Sequence, residues 1–326
     1  MWLEIGGAGL TTYDTLKTFD LTDDQIRQLE VDTIVVDEAH YVKNSEAGRT
    51  KTIVRWLDRT PRAIFLTGTP LENRVSEFIS LASLLDREFA ARMNNAALAA
   101  GVEVFRKHVA PMYLRRNTDE VLKELPELIK TDEYCSWNGA NYESYCRAVA
   151  NGNFMGMRMA GFEPIRPGVI PNKLERLLEL THEALEDGKK VVIFSYFRSV
   201  LTAIHEQLGE LAIGPITGSV SPVQRQELVD RFTNSSTPLA LVGQIQAAGT
   251  GLNIQAASVV ILCEPQIKPS LEVQAIARAH RMGQVNVVHV HRLVIPESVD
   301  ELMVGILNRK QEEFDAYARE SALANS

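Results

Sequence analysis

A chain of 326 residues exceeds the usual size of one domain, and its 45% hydrophobic and 23% charged content lets two units bury a core, which excludes a largely disordered protein. The formal charge of −8, from 42 acidic and 34 basic side chains, excludes a polyanion-binding surface spread over the whole molecule. Any nucleic-acid contact therefore has to be local, in a cleft lined by Lys, Arg and backbone amides. No apolar run approaches the roughly 18 residues that span a bilayer, and no signal core follows Met1. Cys135, Cys146 and Cys263 lack Cys-x-x-Cys spacing. The expectation is a cytoplasmic chain, nucleoid-associated if bacterial, with reduced thiols and no membrane, disulfide framework or zinc site.

Short β-branched runs alternate with longer segments of helical spacing, the pattern of parallel strands covered by helices on both faces. The first strand is Thr33-Ile34-Val35-Val36, ending at Asp37, and the next is Ala63-Ile64-Phe65-Leu66, ending at the turn Thr67-Gly68-Thr69-Pro70. After Leu125-Pro126 the pattern loosens, and residues 151–171 hold four glycines and three prolines. Residues 127–171 thus read as a connection. A second α/β series follows: a helix near Leu174 to Leu185, a strand Val191 to Phe194, a helix near Val200 to Leu211 and a strand near Ile216. It continues through Leu239 to Val242, Val259 to Leu262 and Val287 to Val290. From Glu301 the sequence reads as a terminal helix with apolar Leu302, Met303, Ile306 and Leu307.

In open parallel sheets, ligands bind beyond the carboxyl ends of strands. Asp37 and Glu38 stand there, two carboxylates after a buried strand, as in a Walker-B site where Asp holds magnesium and a neighbouring acid orients water. Alone, such a pair is better described as an acidic helix start. Thr67, Gly68 and Thr69, at the end of the next strand, carry hydroxyls able to couple that centre to a second one. In the second series, Gly249-Thr250-Gly251-Leu252-Asn253 offers amides to a phosphate, or simply a tight turn. Gln274, Arg278 and Arg281, four and three apart, are expected on one face of a helix. There they could stabilise charge on a transferred phosphoryl group, or form salt bridges with residues such as Glu272.

These motifs, in this order, resemble the Swi/Snf-like branch of superfamily-two helicases, the motors of chromatin remodellers and their bacterial relatives. Asp37-Glu38-Ala39-His40-Tyr41-Val42-Lys43-Asn44 resembles motif II, of DEAH-box type, and Leu66 to Asn73 motif III. Leu114-Arg115-Arg116 with Leu125-Pro126 is similar to the exit from the first lobe, and Thr11-Thr12-Tyr13 to motif Ib. Val192 to Arg198 resembles motif IV, and Thr217-Gly218 with Arg225 the next motif. Ala247 to Asn253 resembles motif V, and Gln274 to Gln284 motif VI.

The resemblance implies two RecA-like lobes of the P-loop NTPase type, the first incomplete. Lobe one spans 1–126, the connection 127–171, lobe two 172–300 and the terminal helix 301–326. It implies ATP and magnesium as cofactors. Asp37 would bind the metal, Glu38 activate water, and Arg278 and Arg281 act as arginine fingers. Gly251 and Gln274 join them around the nucleotide, and His40, Thr67, Gly68 and Thr69 couple the lobes. Thr11, Thr12, Tyr13, Lys43, Asn44, Ser195, Thr217, Gly218, Gly249 and Asn253 would line a track for double-stranded DNA.

The sequence departs from this branch in lacking any Gly-x-x-x-x-Gly-Lys-Ser/Thr phosphate loop, which the branch places well upstream of motif II; here 36 residues precede Asp37. Gly6-Gly7-Ala8-Gly9 lacks the Lys and hydroxyl. The expectation is a truncated or split motor whose loop comes from an N-terminal fragment or protein, with a non-catalytic DNA-binding or partner-docking module as the alternative. Ala248, Tyr196 and Asn117-Thr118 are smaller departures. An RNA helicase ranks behind both, because Thr67-Gly68-Thr69 and Gly283-Gln284 do not match that branch.

Overall fold

The structure, a computed structural model, describes residues 7–67, 75–86, 88, 112–114, 125–163, 169–249 and 251–318. Two compact units divide the chain: Met1–Arg116 with Glu312–Ser326, and Asn117–Gln311.

The first unit begins with helices α1 (Tyr13–Lys17) and α2 (Asp23–Gln28), each opened by a threonine cap. At α2 the cap is reciprocal: Thr22 accepts from the Gln25 amide, and the Gln25 side chain accepts from the Thr22 amide. Strand β1 (Thr33–Val36) pairs in parallel with β2 (Arg62–Phe65), linked by helix α3 (Gly48–Leu57), and helix α4 (Val75–Leu85) follows. One face of this sheet packs Val36 against Ala39, Val42, Ile53 and Leu81. Among the described residues, cover is seen on one face only. Val35, Ile64 and Leu66 are about half exposed on the opposite side, at 56%, 50% and 48%. Alternation puts one residue of each strand inward and the next outward, and in the described residues only the inward set meets helices.

The second unit contains a six-stranded, all-parallel sheet in the order β3-β8-β7-β4-β6-β5. Its strands are β3 (Leu128–Tyr134), β4 (Val191–Ser195), β5 (Ala212–Ile216), β6 (Ala240–Gln244), β7 (Val259–Leu262) and β8 (Val288–Val294). The central β4 is buried at every position. Val191 and Ile193 face one core with Leu177, Leu201 and Ile204, while Val192 and Phe194 face the other with Phe232, Ile245 and Ile276. Helices α5 (Gly139–Ala150), α6 (Phe154–Met159), α7 (Asn172–Glu186), α8 (Arg198–Leu208) and α9 (Pro222–Asn234) come before β6. The short α10 (Ile245–Ala248) leaves β6, α11 (Pro269–Ile276) separates β7 from β8, and α12 (Val299–Ala318) follows β8.

The segment 127–171, read as a connection, is part of this second unit. It supplies edge strand β3, helices α5 and α6, and buried Cys135, Ala160 and Phe162. Its strand escapes apolar periodicity because ion pairs hold it. Asp132 lies opposite Arg292 and pairs with it through both carboxylate oxygens, at 2.7 and 3.1 Å. Glu133 accepts from Arg176 at 3.0 Å and meets His291 at 2.8 Å. The terminal helix likewise begins inside the core: Asp300 forms a buried ion pair with Lys173 at 2.7 Å, and Met303 and Leu307 are buried while Leu302 is exposed.

Candidate functional site

Asp37 follows buried Val36 into solvent, and its Oδ1 accepts the Glu38 amide at 2.9 Å. At Glu38 the chain turns left-handed, φ 48° and ψ 49°, a conformation that costs a residue with a Cβ ~1–2 kcal/mol. Surrounding bonds hold it. Leu66 N donates to Val36 O and Ala39 N to Leu66 O, both at 2.9 Å, extending the β1–β2 ladder past the strands. A short 3-10 turn, Ala39–Val42, then buries His40, whose Nδ1 lies 3.2 Å from Glu38 Oε2 and 3.4 Å from Thr67 Oγ1. His40 therefore joins the acid turn to the turn after β2. Gly68 and Thr69, expected beside Thr67, lie outside the described residues.

Tyr13, expected on the DNA track, instead packs on this turn. Its hydroxyl donates to the Asp37 carbonyl at 2.7 Å, and its ring meets Tyr41 edge-on at 6.4 Å. Burial, then the negative charges of Asp37 and Glu38, push its phenol up to about 12. Thr11, Thr12 and Asn44 are exposed and Lys43 is half-buried. Among the described residues no three His, Cys, Asp or Glu side chains could jointly hold a metal. One solvent-facing carboxylate fits magnesium, which takes one or two carboxylates and fills its shell with phosphate and water.

In the second unit the motifs converge at the carboxyl ends of β4, β5 and β6. Gln244 donates to Tyr196 O at 3.1 Å, and its Oε1 accepts the Gly218 amide at 3.4 Å. Arg225 donates to the carbonyls of Gly218, Val220 and Ala247. Thr217 shares a 2.8 Å hydrogen bond with Ser219, and Asn253 and Gly251 are exposed.

Two expected DNA contacts face inward. Ser195 is fully buried; its hydroxyl donates to Glu264 at 2.9 Å and accepts the Phe197 amide at 3.0 Å. Gly249 is buried, its amide bonded to Ile245 O and its carbonyl to Arg278 Nε. A Cβ there would sit 2.3 Å from Ile245 O, so packing alone demands glycine.

The expected arrangement of Gln274, Arg278 and Arg281 on one helix face is also corrected. Helix α11 ends at Ile276, so Gln274 lies on it while both arginines lie in the turns beyond. Those turns are pulled onto motif V: Arg278 Nε donates to Gly249 O at 3.1 Å, and Ile254 N donates to Arg278 O at 3.0 Å. Gln284 locks them, its amide nitrogen reaching the carbonyls of Gln255, Ala257 and Ala279 at 2.9 to 3.1 Å. Arg281 is exposed. Glu272, weighed as a partner for these arginines, pairs with Arg292 at 3.1 Å.

Sequence reasoning missed Glu264. Fully buried beyond β7, it accepts from Ser195, from the Tyr196 amide at 2.6 Å and from Gln266 at 3.0 Å. Burial pushes its carboxyl up, while these donors and the charges of Arg158 and Lys173 act in the opposite sense. The signal was available, because a carboxylate just after a buried apolar strand is what marked Asp37.

A family model described as an SNF2-related domain matches residues 7–166, and one described as a helicase conserved C-terminal domain matches residues 172–283. The chain belongs to the SNF2-related helicase family. It is 29% identical over 308 residues to an uncharacterized ATP-dependent helicase of Mycoplasma pneumoniae, covering 86% of this chain and 30% of the relative. It is 28% identical over 342 residues to the human DNA annealing helicase and endonuclease ZRANB3, covering 93% and 31%. The chain thus spans under a third of the length of these relatives. The solved C-terminal part of the Fun30 ATPase domain has the same fold, with a TM-score of 0.52 and 18% identity over 56% of this chain and 89% of that one.

Proposed function

We propose that this SNF2-family chain is the part of an ATP-driven translocase on double-stranded DNA that positions metal and water, and that turnover drives movement along duplex DNA or remodelling of protein–DNA complexes. The observation that carries the reading is the acid turn: a solvent-facing Asp37, then Glu38 held left-handed with its carboxylate against His40. Asp37 would hold magnesium, which when bound neutralises charge on the phosphates. Glu38 would orient the attacking water and accept its proton, and His40 with Thr67 would report that state to the turn after β2. Arg281, exposed beside Gly283 and the Gln284 lock, would supply positive charge to the phosphoryl group, with Arg278 keeping motif V in register.

Thr11, Thr12, Lys43, Asn44, Thr217, Gly218 and Asn253, none of them buried, support a backbone-tracking DNA contact. The phosphate loop would come from a segment outside these residues, in the same protein or a partner. In the intact protein carrying that loop, Glu38→Gln or Arg281→Ala is expected to abolish DNA-stimulated ATP hydrolysis while duplex binding persists. Undiminished turnover in both would refute the assignment.

A second reading is a non-catalytic DNA-binding or docking module. That reading gains if the intact protein binds duplex DNA yet neither binds nor hydrolyses ATP.

A further inference from the structure

Tyr13 and Asp37 are 24 residues apart in sequence, and the Tyr13 hydroxyl bonds to the Asp37 carbonyl. The carbonyl it grips belongs to Asp37, so it orients the peptide plane between Asp37 and Glu38. The rotation of Glu38 about its N–Cα bond is measured against that same plane. Its φ of 48° is disfavoured for any residue with a side chain, and such a conformation persists only where surrounding bonds over-determine it. The Tyr13 hydroxyl is one of those bonds, alongside the Asp37 side chain on the Glu38 amide and the Tyr41 amide on the Glu38 carbonyl at 3.0 Å.

The other end of the connection faces solvent. Tyr13 is the first residue of α1, and its cap is Thr12, whose hydroxyl oxygen accepts the Thr15 amide at 3.1 Å. Thr11 and Thr12 are exposed. One peptide link therefore separates a solvent-facing pair of threonines from the residue that sets the Asp37 carbonyl. The aromatic contacts continue inward: Tyr13 on Tyr41, Tyr41 on His40 at 4.3 Å, and the Arg49 guanidinium over Tyr41 at 5.7 Å. Residues that touch the acid turn from α1, from α3 and from the 3-10 turn are thus packed as one group.

We infer that Tyr13 is a positioning residue through which the Thr11–Thr12 segment sets the backbone of Glu38, so that duplex DNA held at those threonines reorients the carboxylate that handles water. The inference rests on the reading of Glu38 and of the DNA track given above. It differs from a DNA-contact role for Tyr13, because the hydroxyl is already committed to Asp37.

The test uses Tyr13→Phe, which keeps the ring and removes the hydroxyl. In the intact protein with its phosphate loop, DNA-stimulated kcat is expected to fall about fivefold while KM for ATP and duplex affinity stay within about twofold of the parent. A parallel fall in duplex affinity would make Tyr13 a DNA contact and overturn the inference. So would an unchanged kcat where Glu38→Gln still abolishes turnover. If Glu38→Gln leaves turnover intact, the ATPase reading itself fails, and a measurement without ATP decides the role of Tyr13. In the 326-residue chain, the amide resonances of Glu38 and Ala39 should shift on adding a blunt duplex, and that shift should vanish in Tyr13→Phe. Resonances unmoved in the parent, or moved equally in both proteins, would overturn it.

Discussion

Replacing Glu264 by alanine should unfold the second unit far more easily than any surface change, and the cost follows from its partners. The truncation strips the buried Ser195 hydroxyl and the part-buried Tyr196 amide of their acceptor. Gln266 Nε2 loses less, because it also donates to the Glu264 backbone carbonyl at 2.9 Å. A buried donor left without an acceptor costs ~1–3 kcal/mol, so two give ~2–6 kcal/mol. The guanidinium of Arg158, fully buried among Phe154, Tyr196 and Phe197, also loses the influence of a nearby carboxylate. These terms overlap, and ~4 kcal/mol is the expected total. Trp137 is the only tryptophan in the sequence of the second unit and reports its unfolding in urea. With a slope of ~2 kcal/mol per molar, the midpoint should fall by ~2 M. Glu264→Gln keeps one acceptor oxygen and should cost ~1–2 kcal/mol. A loss below ~1 kcal/mol for Glu264→Ala would refute the reasoning, because an unmet donor alone costs that much.

Gln284→Ala removes the side chain that bonds three carbonyls and accepts from the amides of Val285 and Asn286. It should cost ~2–3 kcal/mol and raise hydrogen exchange across residues 277–287, read by mass spectrometry. Gly249→Ala should prevent stable folding of the second unit, since its Cβ meets Ile245 O, whereas Gly251→Ala, at φ 74° with open space around it, should cost only ~1–2 kcal/mol by thermal melting. Burial alone would raise the Glu133 carboxyl, but hydrogen bonds from His291 and Arg176 outweigh it and hold the group below its usual range. A lowered acid stabilises the fold above its unfolded pKa of ~4.3 and loses that contribution as pH falls through the folded value. Glu133→Gln should therefore be less stable than the parent above about pH 5, with the difference shrinking below about pH 4 in urea titrations at fixed pH.

Strands β4 to β8 of the second unit and the order of its motifs were legible because each rests on local chemistry. A run such as Val191 to Phe194 has one stable use in a parallel sheet, and a carboxylate or glycine placed just after it marks a strand's carboxyl end. The sequence placed Asp37 and Glu38 just past β1, and there the structure has Asp37 exposed and Glu38 half-buried against His40. The sequence did not reveal that Glu38 is left-handed, since that conformation is imposed by Tyr13, Leu66 and the Asp37 side chain rather than favoured by glutamate itself. Nor did it reveal β3, whose Lys130, Thr131, Asp132 and Glu133 lack apolar alternation and owe their place to Arg292, Arg176 and His291, all distant in sequence.

Spacing by itself put Gln274, Arg278 and Arg281 on one helix, and the family resemblance made Ser195 and Gly249 candidates for DNA. Tertiary contacts reversed both readings. Helical spacing assumes that the helix continues, and here the backbone after Ile276 gains more from the carbonyls and amides of motif V than from another turn. A residue type offers a donor or an acceptor, but only the folded chain decides whether that group is spent inside. The local order of strands, turns and acids is written in the sequence because neighbouring residues determine it. The allocation of Ser195 to Glu264, of Arg278 to Gly249 and of Tyr13 to Asp37 was decided by burial, which leaves each polar group with whatever partner the tertiary structure brings within reach.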